Sequence, residues 1–125
     1  MEAEEFMQQA EQDAALSAFL RSVAQQAGQE IQAEQPGQYF TGAEALLGLA
    51  AYAFYRWLKE YFDQRRALNE VEVARQQAGL IHELIQDGFK TADAQAVAAA
   101  LLQRLAARGQ GDPLLDFAAK LLGKG

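Results

Sequence analysis

An all-α fold is predicted by three observations. Apolar residues return at three- and four-residue steps through most of the 125-residue chain. Only two prolines occur, among abundant Ala, Gln and Leu, which are strong helix formers. Turn signals fall at few places, chiefly residues 35–38, 87–88 and 109–112. The expected arrangement is a long central helix with an acidic amphipathic helix before it and a small three-helix cluster after it. Its segments are 1–35, 41–72 and 73–123, joined in one structural unit.

The first helix is expected from Ala3 to Ala33. Phe6, Ala10, Leu16, Phe19, Leu20, Val23, Ala27 and Ile31 form its apolar stripe, with Gln and Glu elsewhere. The stripe is thin in large residues, so the helix needs a partner surface to stay folded. It is expected to be a separable arm, docked on the rest of the chain or on a neighbouring one. Gln35-Pro36-Gly37-Gln38 ends it.

Thr41 and Glu44 form a capping-box pattern that starts the second helix. No clear stop follows until Asp87-Gly88. Read as one helix, residues 42–86 would span roughly 68 Å at 1.5 Å per residue. A compact chain of this length is only about 36 Å across. Asn69 and Gly79 are weak candidate breaks. The stripe reads Leu47, Ala50, Phe54, Trp57, Leu58, Tyr61, Leu68, Val71, Ala74, Ala78, Ile81, Ile85. Its first part, Ala45 to Phe54, is apolar on nearly all faces. Arg65 to Gln77 is polar with a narrow stripe, as in an exposed or coiled-coil stretch.

Thr91 opens the next helix, with Asp93 in its first turn and Val97, Leu101, Leu102 and Leu105 on its apolar face. Arg104 and Arg108 lie at the end that favours cations, and Gly109 stops it. Asp112 with Pro113 opens the last helix, which carries Leu114, Leu115, Phe117, Ala118, Leu121 and Leu122 and stops at Gly123. Phe89, just after the helix-stopping Gly88, is expected to fold back into the core. The segment Leu84-Ile85-Gln86-Asp87-Gly88-Phe89, followed by Ala96 and Ala100-Leu101, resembles the Gly-Phe turn of ubiquitin-associated-like three-helix modules. The helix after it is longer than theirs, and no site residue is carried over.

Composition removes much chemistry. There is no cysteine, hence no disulfide, thiolate metal site or thiol nucleophile. A single histidine excludes a His-rich metal site. His82-Glu83 begins like a zinc-protease helix, but position 86 is Gln86 where a second His is required. Position 79 is Gly79, so the Glu-x-x-His pair of a carboxylate-bridged centre is missing too. Gly109-Gln110-Gly111 has no strand before it and lacks the Lys-Ser/Thr of a phosphate loop. Ser17 and Ser22 have no neighbouring base. No carboxylate pair stands out for acid–base work. No catalytic, cofactor or metal residue is therefore expected, and no enzyme.

The net charge of −6 is unevenly placed. Residues 1–35 hold seven acids against one base, Arg21, while residues 36–125 balance. The acidic start is unlike a secretory signal, so a cytoplasmic location is expected. Arg56, Lys59, Arg65 and Arg66, with Trp57 and Tyr61 beside them, form the basic patch. Its plain function is a solvated helix face, with Arg56–Glu60 and Lys59–Asp63 paired four apart. Docking of the acidic arm, or contact with lipid headgroups or nucleic acid, are the other possibilities.

The leading expectation is a non-enzymatic assembly or adaptor protein acting through homo-oligomerisation or a protein partner. Its contact residues are expected to be Leu47, Ala51, Phe54, Tyr55, Trp57, Leu58 and Tyr61, with Phe54 and Trp57 between chains. The first alternative is a small membrane-associated protein inserting residues 43–58, which fall short of the roughly 20 residues a span needs. The second is nucleic-acid binding through Arg56, Lys59, Arg65 and Arg66, which the acidic total disfavours.

Overall fold

A computed structural model describes residues 2–34, 43–61, 70–109 and 112–123. Six helices make up the described residues, with no strand among them: α1 Ala3–Gln12, α2 Ala14–Glu34, α3 Ala43–Tyr61, α4 Glu70–Gln86, α5 Thr91–Arg108 and α6 Pro113–Leu122. The all-α expectation holds. Thr41, Asn69 and the linkers around them lie outside the described residues.

The single first helix is in fact two. Asp13 leaves the helical conformation, with ψ near 124°, and its carboxylate accepts from the Leu16 amide at 2.9 Å. That bond satisfies one of the orphan donors at the start of α2, so α2 begins afresh after Asp13. Gly28, the suspected weak point, stays helical.

Residues 42–86, which the sequence left open as one helix or two, hold two helices among the described residues, α3 and α4. Trp57 Nε1 donates to Gln76 Oε1 at 3.1 Å. In one continuous helix these residues would stand about 28 Å apart. Tyr52 reaches Asp87 at 2.6 Å and Tyr61 reaches Glu83 at 3.1 Å, so α4 packs back against α3. The face that α4 buries differs from the expected stripe. Gln76, Leu80 and Leu84 point inward, while Val71, Ala74, Ala78 and Ile85 are exposed and Ile81 is partly so.

The local signals at the other turns are realised. Gly88 has φ 102°, where a side chain would be strained. The amide of Phe89 bonds to the Leu84 carbonyl and that of Gly88 to the Ile85 carbonyl, the paired bonds of a Schellman ending. Phe89 then turns onto the core beside Tyr52, with ring centroids 5.4 Å apart. Asp112 caps α6 by accepting from the Leu114 amide at 2.8 Å, with Pro113 in the first helical position and left-handed Gly123 at the end.

α3 packs against each of the other five helices, and α5 lies within the same core. Val97, Leu101, Leu102 and Leu105 have no exposed surface, and α2, α3 and α4 pack around it. α2 packs on α5 and α3 and contributes Leu16, Val23 and Ala27, all fully buried. The segment before Pro36 is thus docked on the rest of its own chain, one of the two placements expected for it, with α2 supplying core residues. α1 closes one side through Phe6, whose ring meets Phe54 edge-on at 6.1 Å and Tyr55 at 5.7 Å.

Candidate functional site

The expected contact residues separate into core, seam and surface. Phe54, Trp57 and Leu58 have no exposed surface, and Tyr55 retains only 6%. Phe6 of α1 and Phe19 of α2 cover Phe54, and Gln76 of α4 meets Trp57. The placement of Phe54 and Trp57 between chains is therefore corrected: helices of the same chain cover both. α1 and the returning α4 supply cover that a straight rod would have lacked.

Between α3 and α4 runs a polar seam centred on Arg56. Its guanidinium lies 3.4 Å from Glu60, 3.5 Å from Glu83 and 3.4 Å from Asp87. Three carboxylates therefore surround this one cation. Lys59 stands 5.4 Å from the Tyr55 ring. Arg65 and Arg66 lie outside the described residues. Tyr52 donates to Asp87 and Tyr61 to Glu83. Burial, reinforced by those carboxylates, pushes both phenols up to about 12. Burial also raises the Glu83 carboxyl above its ordinary range, against the lowering influence of Tyr61 and Arg56. Both phenols therefore stay protonated near neutrality and act as donors that pin α3 to α4. Gly79 makes room for this: a Cβ there would sit 2.6 Å from the Tyr61 hydroxyl.

The second feature is a trough between α2 and α3. Two cavities, of about 580 and 260 Å³, share Arg21 and Leu47 and so form one depression. Along α2 it is lined from Ser17 to Gln32, a length of about 22 Å at 1.5 Å per residue. Leu20, Ala24, Leu46 and Ala51, each nearly buried, make an apolar floor. Glu11 of α1 and Glu44 of α3 stand on its walls, with Arg21 between the two cavities. Gly48 also lines it, and a Cβ added there would meet no atom within 4 Å.

Among the expected contact residues, Leu47 and Ala51 reach this trough. Sequence reasoning missed Arg21 and Gly48. Arg21 was visible as the lone base among seven acids, and Gly48 as a glycine inside an apolar run, but only the packing of α2 on α3 brings them together. No described helix is long and apolar enough to cross a membrane. Compared with family models, curated proteins and solved structures, the chain matches none.

Proposed function

We propose that this chain is a non-enzymatic interaction module of the adaptor or assembly kind, and that it docks a helix of a partner protein in the trough between α2 and α3. The observation that carries this is the apolar-floored depression with an open glycine on its wall. A glycine inside a helix costs about 1 kcal/mol relative to alanine. Packing within the chain gives no reason for one at Gly48, since its missing side chain would touch nothing. A helix lying in the trough would approach the α3 backbone there. An extended peptide fits less well, because its backbone groups would face an apolar floor without partners. The test is site-specific photo-crosslinking in the native host, with the reactive group at Leu47 and, as control, at exposed Lys120. A discrete protein adduct from position 47 alone is expected. No adduct from it, or the same adducts from both positions, would refute the docking role.

A second observation favours self-association as the other form of assembly. Val71, Ala74, Ala78, Ile81 and Ile85 keep three- and four-residue heptad spacing along α4, and Val71 is 66% and Ile85 39% exposed. β-branched residues at a positions suit a two-stranded seam. Sedimentation equilibrium of wild type beside Ile85→Glu checks it: a dimer that the substitution dissolves is expected, and a monomer at all concentrations excludes it.

A further inference from the structure

The chemistry of the trough's walls narrows the class of partner. We infer that its occupant is a cationic amphipathic helix, with Lys or Arg flanking an apolar face; this rests on the docking role proposed above. The charged residues that line the trough are Glu11, Glu44 and Arg21, a balance of −1, and its α1 and α2 sides come from the segment 1–35 that carries the net charge of −6, of which Glu30 lines a different cavity. Glu11 is exposed on that end and Glu44 on the α3 side. Glu4 and Glu5 lie one to two turns of α1 from Glu11, close enough to add to the negative potential at moderate salt.

Charge also selects against other occupants. A second copy of the chain would bring either its own −6 segment or residues 36–125, which balance to zero. An anionic lipid surface or a nucleic acid would meet like charge. A cationic helix instead places its apolar face on Leu20, Ala24 and Ala51 and its bases toward Glu11 and Glu44. Arg21 is the exception that gives register. It stands between the two cavities, so the occupant has no cation at its middle, and its bases lie toward its ends.

The full chain, labelled with ¹⁵N, is titrated with three peptides of about 18 residues, long enough to span the trough. All share one leucine face and a Gln middle, and the ends of their polar faces carry Lys, Gln or Glu. The Lys peptide is expected to bind roughly five-fold or more tighter than the Gln peptide in about 50 mM salt, and the gap to close in about 0.5 M salt. Its amide shifts map to Leu47, Gly48 and Ala51. Gly48→Leu fills the trough and abolishes those shifts without loss of helix. Arg21→Glu tightens the Lys peptide, a change that a merely structural role for Arg21 would not produce. If the Gln or Glu peptide binds in the trough as well as the Lys peptide, the cationic assignment falls and the docking role stands. If the Lys peptide binds away from Leu47 and Gly48, or survives Gly48→Leu unchanged, simple attraction to an acidic surface replaces the inference. If no peptide moves the trough amides, the docking role falls with it.

Discussion

Phe6→Ala tests how α1 is held. Phe6 has no exposed surface, and its ring lies within 6.1 Å of Phe54 and 5.7 Å of Tyr55. Truncating a buried phenylalanine to alanine costs about 3–5 kcal/mol, of which the aromatic pairs contribute about 0.5–1.5 each beyond buried area. α1 buries only Phe6 and Ala10 fully, and a ten-residue helix has almost no stability of its own. The loss should therefore fall on α1 first. Once α1 undocks, further weakening costs the rest nothing, so the global loss saturates at the docking energy of α1. We expect a fall in urea-unfolding stability of about 3 kcal/mol, roughly a hundred-fold in equilibrium. Amide exchange in α1 should accelerate to near the unfolded rate, while α5 keeps its protection relative to the new global stability. A change below about 1 kcal/mol with α1 protection intact would show that Phe6 is no anchor. Simultaneous loss of protection in α1 and α5 would show that α1 does not release by itself.

Deleting residues 1–35 should abolish cooperative unfolding, because α5 and α3 lose Leu16, Val23 and Ala27 from their packing surface; a sharp, reversible melt of the remainder would contradict that. Burial holds the Glu83 carboxyl above its ordinary range, so its protonation favours the folded chain. That contribution is complete below the unfolded value and is lost as pH rises through the raised folded one. Wild type should gain stability relative to Glu83→Gln as pH falls from neutrality toward 4.5, and a pH-independent difference between their urea midpoints would refute this. Gly79→Ala should be nearly neutral in stability, since about 1 kcal/mol of helix propensity offsets a displaced Tyr61 hydrogen bond of similar size. Its signature is alkaline titration, where one tyrosine should move from about 12 toward 10.0; an unchanged curve would mean that Tyr61 keeps its place.

Local chemistry made much of this fold legible. Asp112-Pro113 and Gly123 bound α6, and Gly88-Phe89 turns α4 onto the core, because each signal acts within one turn of backbone. The packing of α4 back on α3 was not legible. The sequence between them has no strong breaker, and the contacts that hold α4 on α3 are tertiary: Trp57 with Gln76, Tyr61 with Glu83, Arg56 with Asp87. The face of α4 was misassigned for the same reason. An apolar stripe at 71, 74, 78, 81 and 85 was the natural choice, yet the core takes Gln76, whose amide oxygen serves the buried indole. Asp13 could have been read as a cap, but the periodicity on either side of it hid the break. The candidate site was half visible: Leu47 and Ala51 were named, whereas Arg21 and Gly48 acquire meaning only once α2 lies on α3.

The pairing of α2 with α5 also bears on the order of folding. Gln26 meets Gln103, 77 residues away, and Arg104 reaches back to the same side chain. Closing a loop of that length costs about 2 kcal/mol more entropy than closing one of about ten residues. The α4–α5 turn closes over a handful of residues and should form first, with α2 joining a surface already assembled. Truncations on α2, such as Val23→Ala, should then mainly accelerate unfolding, whereas changes at Leu84 or Val97 should slow folding. The last helix to dock would be the one that builds the wall of the trough, so the trough would take shape only as the bundle closes.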